Sequence, residues 1–94
     1  MNPLDRKVQV HPEVVDTALD TGEIVLLHLE STTYYSLNVT GARIWQGMQQ
    51  GLTLQAISHR LQAEFAVEAA RADRSVLRLL EELTHQQLVQ RADG

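Results

Sequence analysis

The stretch Tyr34-Tyr35-Ser36-Leu37-Asn38-Val39-Thr40-Gly41-Ala42-Arg43-Ile44-Trp45 decides the fold. Its first four residues close a run, Thr33 to Leu37, rich in β-branched and aromatic side chains, and such a run favours a strand. Asn38 follows at once and is a good helix N-cap, because its side-chain oxygen accepts from a backbone N–H one turn in. Gly41, Ile44, Trp45 and Met48 then fall at i, i+3, i+4 and i+7, one face of a helix. Sheet therefore gives way to helix at Asn38, and the chain's one Trp sits on the inward face of the new helix. Gly51 stands where a left-handed residue ends a helix.

Working back from this junction, Glu23 to Leu29 reads as a strand whose nearly continuous apolar run implies cover on both faces. Val14 to Leu19 reads as another. Asp20-Thr21-Gly22 and Glu30-Ser31-Thr32 are the turns between strands. Three strands joined by tight turns make an antiparallel meander. Residues 1–10 show no period and are expected to form a loose N-terminal arm, free to join the sheet edge.

Working forward, Thr53 caps a second helix with Leu54, Ile57, Leu61 and Phe65 inward. A third helix is expected from about Glu68 to Gln87, with Ala72, Val76, Leu79, Leu80 and Leu83 as its apolar face. Leu88 and Val89 pack as the chain leaves it. The expected class is α+β and winged-helix-like: a three-stranded antiparallel sheet followed by three helices, with residues 1–94 as a single domain.

Composition narrows the function. The chain has 94 residues and no cysteine, so disulfides, thiolate metal sites and a cysteine nucleophile are excluded. The net charge is −4, and residues 1–37 carry most of it: Arg6 and Lys7 stand against six carboxylates. An acidic chain is poorly suited to neutralising phosphates, which dominates nucleic-acid affinity. The longest apolar run, Ile24-Val25-Leu26-Leu27, is far short of a membrane span. No apolar signal core opens the chain, so a cytoplasmic location is expected.

Catalytic patterns are missing. No two of His11, His28, His59 and His85 have the HxxxH spacing of a helical metal site. His28 and Glu30 share a strand face, which reads as surface chemistry and not as a metal pair. The serines lack a G-x-S-x-G elbow, and there is no glycine-rich phosphate loop. The expectation is a protein without catalysis, cofactor or metal. Arg71, Arg74 and Arg78 form a stripe opposite the third helix's apolar face, a solvated surface on which Glu81 and Glu82 can pair with Arg78. That stripe is the one feature favouring the rival reading, a winged-helix nucleic-acid-binding or regulatory protein. Leu77 lies at the margin of the apolar face. Tyr34 and Tyr35 point to opposite sides of their strand, Tyr35 with Leu37 on the more buried side.

The run Tyr35 to Trp45 resembles the strand-to-helix junction of PqqD-like proteins, the precursor-peptide recognition elements of ribosomally made, modified peptides. Val25-Leu26-Leu27-His28-Leu29-Glu30-Ser31 is similar to that family's second strand and turn. Gly51-Leu52-Thr53-Leu54-Gln55-Ala56-Ile57 is similar to its loop into helix two. Val76-Leu77-Arg78-Leu79-Leu80-Glu81-Glu82-Leu83, with Leu88-Val89, is similar to its last helix and exit. The resemblance spans about residues 11–90.

This resemblance implies a binder. The leader segment of a precursor peptide is expected to add as a strand beside Thr33, Tyr34, Tyr35, Ser36 and Leu37. The facing positions it implies on the third helix are Asp73, Arg74, Val76, Leu77 and Leu80, with Arg74 toward acidic leader side chains. It implies a separate partner too: a leader peptidase in lasso-peptide pathways, or a radical enzyme in quinone-cofactor and sactipeptide pathways. The Gly-Ala-x-Ile-Trp junction is closer to the lasso-pathway members.

Overall fold

The computed structural model describes residues 3–91. A 3₁₀ turn at Pro3–Asp5 leads into strands β1 (Val8–Val10), β2 (Val14–Ala18), β3 (Ile24–His28) and β4 (Thr33–Leu37). Helices α1 (Val39–Gln49), α2 (Leu54–Phe65) and α3 (Ala69–His85) follow, and β5 (Val89–Arg91) ends the described chain. The sheet order is β2-β3-β4, all antiparallel, so the expected meander and α+β class are both present.

The arm differs from expectation. Residues 8–10 pair with β5 in a separate ribbon, Val8 opposite Arg91 and Val10 opposite Val89. Leu4 and Val8 are buried in the core, and the Leu54 N–H donates to the Arg6 carbonyl (3.0 Å), fastening the arm across the start of α2. A three-residue strand is too short to show a period, and its partner lies at the far end of the chain.

One face of the meander is buried under the helices. Ile24, Leu26, His28 and Leu37 lie on that face and are shielded from solvent. Trp45 is 1% exposed. Its one polar atom is satisfied by the sheet: Nε1 donates to Asp16 Oδ2 (2.9 Å), which also accepts from Gln49 Nε2 (2.6 Å). Buried indoles generally find such a partner. Truncating a fully buried Trp costs about 3–5 kcal/mol, so this side chain is a main anchor of α1, beside the buried Ile44 and Met48.

The caps follow the local sequence. Asn38 Oδ1 accepts from the Gly41 N–H (2.8 Å), and Thr53 Oγ1 from the Ala56 N–H (3.1 Å). After α1, Gly51 adopts φ +76°, and Leu52 donates back to Gly47 while Gly51 donates to Met48. That pair of bonds is the Schellman ending, which needs a left-handed residue. The same pair ends α3: Leu88 donates to Leu83 and Gln87 to Thr84, with Gln87 at φ +60°. The helix therefore stops at His85. Gln87, a residue with no preference for that conformation, gave no stop signal.

Candidate functional site

β4 forms one outer edge of the sheet, and the hydrogen-bond alternation shows which of its groups are free. The Leu19 N–H donates to the Glu23 carbonyl (2.8 Å) and the Leu29 N–H to the Glu13 carbonyl (2.9 Å). Bonded and non-bonded pairs alternate along an antiparallel ladder. Val25 and Leu27 thus bond toward β2, and Ile24, Leu26 and His28 toward β4. Their partners in register are Leu37, Tyr35 and Thr33. The backbone N–H and C=O groups of Tyr34 and Ser36 are left pointing to the open edge.

Beyond this edge lies α3. A hollow of about 530 Å³ is lined by Tyr35 and by Arg78, Glu81, Glu82, His85 and Gln86. A second, of about 260 Å³, lies between the start of α1 (Asn38, Thr40, Gly41, Ile44) and Ser75, Arg78, Leu79 and Glu82 of α3. Arg78 and Glu82 line both, so the two hollows form one groove along α3. The Tyr35 hydroxyl crosses it and donates to Glu82 Oε2. Burial, the hydrogen bond to Glu82 and its negative charge push the Tyr35 phenol up to about 12. The phenol is therefore a neutral donor at physiological pH. Arg78 makes no ion pair or hydrogen bond among the described residues, so the expected pairing with Glu81 or Glu82 is not formed. Glu82 is committed to Tyr35 instead. Arg78 thus shares the groove with the Glu81 and Glu82 carboxylates and pairs with neither.

The residues singled out in the sequence divide between this groove and other places. Thr33, Tyr34, Tyr35, Ser36 and Leu37 form β4, but the Leu37 side chain is buried and its backbone bonds to Ile24, so it offers nothing to the open edge. Val76 is fully buried. Asp73 accepts from Ser58 Oγ (2.5 Å) and so faces α2. Arg74 is exposed and lines neither hollow. Leu77 and Leu80 line a third hollow, with Arg6, Thr84 and the Glu81 and His85 that also line the Tyr35 hollow. The α3 positions that share a hollow with β4 are Arg78, Glu81, Glu82 and His85, while Ser75 and Leu79 line its continuation beside α1. An apolar helix face has two margins, one through Leu77 and one through Leu79. Periodicity alone does not say which margin meets the sheet. Leu79, expected in the core, is half-buried at the groove.

His28 and Glu30 are joined by His11. The two rings are 4.6 Å apart, and His11 Nε2 lies 3.9 Å from Glu30 Oε1. This donor set does not suit a metal. His11 Nδ1 accepts from the Glu13 N–H (3.0 Å) and His28 Nδ1 from the Glu30 N–H (3.3 Å). Each neutral ring therefore carries its proton on Nε2, whereas a metal-bound imidazole donates from its other nitrogen. The pair stabilises turns at one end of the sheet.

Comparison with known proteins bears on this groove. The family described as Coenzyme PQQ synthesis protein D (PqqD) matches residues 23–89. No match was found among curated protein sequences. Two solved structures are similar. TbiB1 in complex with the TbiA(beta) leader peptide aligns with a TM-score of 0.82 and 30% identity, covering 87% of this chain and 94% of that one. Lasso peptide synthetase B1 complexed with the leader peptide aligns with a TM-score of 0.81 and 28% identity, covering 89% and 98%.

Proposed function

The chain belongs to the PqqD family, and on that premise we propose that it binds the leader segment of a ribosomally made precursor peptide by β-strand addition to β4. One observation carries the reading: Tyr34 and Ser36 turn two N–H and two C=O groups to an edge that opens directly onto the α3 groove. An extended peptide pairs with such an edge through its backbone, while pockets beside it select alternate side chains. The family's similar structures hold leader peptides, which supports the same cargo here.

The protein acts as a binding subunit without catalysis, and it hands the leader to a separate enzyme. The similarity to lasso peptide synthetase B1 favours a lasso-pathway leader peptidase over a radical enzyme as that partner. No described helix is long and apolar enough to cross a membrane, and the cytoplasm, where the precursor is made, is the proposed site of action.

Titrating the precursor leader while following backbone amide resonances tests the mode. The Tyr34 and Ser36 amides are expected to shift and to gain protection from hydrogen exchange. Shifts confined to α2, or to the Leu77–Leu80 flank of α3, would overturn the β4 assignment.

A further inference from the structure

The outer face of the meander takes no part in the core, and it is largely apolar. Alternation along the strands puts Val15, Leu19, Val25, Leu27, Leu29 and Tyr34 on the side away from the helices. The register sets Val15, Leu27 and Tyr34 in one row across all three strands, and Thr17, Val25 and Ser36 in the next. Val15, Leu19, Leu29 and Tyr34 are 46%, 44%, 50% and 69% exposed. Val25 and Leu27 are half-buried, and neither belongs to the core cluster or packs against it. Single exposed apolar side chains are ordinary, but a contiguous patch marks an interaction site.

The rim identifies the kind of partner. From Val8 to Leu37 the chain has five carboxylates and no Lys or Arg. Asp16 turns inward to Trp45 and Gln49. The other four are exposed: alternation puts Glu13 and Glu23 on the outer face at opposite ends of the strands, whereas Asp20 sits in the β2–β3 turn and Glu30 reaches toward His11. A second copy stacked face to face would set acid against acid in either orientation. The complementary surface is an apolar patch framed by Lys and Arg.

We propose that this face docks the processing enzyme through such a basic-rimmed apolar surface. The proposal rests on the leader-binding reading, and Tyr34 connects the two surfaces. Its backbone faces the leader edge, and its side chain stands on the outer face. An enzyme seated there lies beside the strand that carries its substrate.

The test uses the purified leader peptidase of the same pathway, with leader present, and measures binding by biolayer interferometry. Val15→Glu/Leu29→Glu changes two exposed side chains outside the groove; it is expected to weaken enzyme binding about tenfold or more, the loss typical of interface anchors. Leader affinity should stay within about twofold, since the sites are separate. Glu13→Lys/Glu23→Lys should slow enzyme association at low salt. If the glutamates impair folding, Val15→Ser/Leu29→Ser replaces them. The proposal is overturned by a leader-binding double variant that holds the enzyme as tightly as wild type. It is overturned equally by a wild-type chain that takes up leader but no enzyme, or by a wild-type dimer that the double variant dissolves. A wild-type chain that takes up no leader sinks the leader reading instead.

Discussion

Tyr35 on β4 donates its phenolic hydrogen to the Glu82 carboxylate on α3, 47 residues further along the chain. Among the described residues, this is the hydrogen bond that ties the meander to α3. The phenol is pushed from 10.0 to about 12, first by burial and then by Glu82. The folded chain thus favours the neutral phenol more than the unfolded chain does. This contribution to stability is whole below pH 10 and is lost as the pH rises toward about 12. Thermal unfolding of wild type should fall over that window more steeply than that of Tyr35→Phe. Parallel curves would refute the coupling. At neutral pH the variant should lose about 1 kcal/mol, the net worth of one hydrogen bond.

The alternation of the β3–β4 ladder makes Tyr34 and Tyr35 unequal under proline substitution. Tyr34→Pro removes an N–H that points to the open edge, and proline is tolerated on edge strands in that orientation. The variant should fold and bind leader about fivefold more weakly, as expected for a lost hydrogen bond of about 1 kcal/mol. Tyr35→Pro removes a donor to β3 and should lower the unfolding temperature sharply. Fluorescence anisotropy with labelled leader, read beside thermal melts, separates the two. Unchanged leader affinity in folded Tyr34→Pro would refute edge pairing.

Arg78 lines both hollows without an ion-pair partner, whereas Arg74 lines neither. A leader carboxylate in the groove would meet Arg78. Arg78→Glu should therefore weaken leader binding about tenfold and flatten its salt dependence, since charge-assisted bonds are worth about 1.5–3 kcal/mol. Arg74→Glu should leave both nearly unchanged. A larger effect at Arg74, measured by isothermal titration across a salt series, would return the site to the Leu77 margin.

These residues also show how far the sequence was legible. The strand-to-helix change at Asn38, the cap, the inward Trp45 and the stop at Gly51 are local: each depends on neighbours within one or two turns. The β1–β5 ribbon is not, because three-residue strands carry no period and their pairing spans the chain. The groove was legible on the strand side, where Thr33–Leu37 stands out by composition. On the helix side it was not. Arg78, Glu81, Glu82 and His85 look like ordinary surface positions until α3 is placed against the sheet. What removed Glu82 from Arg78 is Tyr35, and no sequence spacing signals a bond across 47 residues.

Gly47 separates packing from propensity in a way that stability measurements can resolve. A Cβ at this position would lie 2.6 Å from Ile57 Cγ1 and 3.1 Å from its Cδ1. Ile57 is buried, so its branch point has little room to move. Alanine in a helix interior is ordinarily better than glycine by about 0.5–1 kcal/mol. Overpacking costs about 1–3 kcal/mol, so the clash should outweigh the propensity gain and Gly47→Ala should unfold at lower temperature. One kcal/mol corresponds to a shift of about 4–8 °C for a domain of this size. Ile57→Ala removes the colliding atoms, at its own cost of about 2–5 kcal/mol. In that background Gly47→Ala should become stabilising, because only the propensity gain remains. Leader affinity of the folded protein should be the same in every member of the cycle, since neither residue borders β4. An additive cycle would show that α1 and α2 do not meet at this glycine.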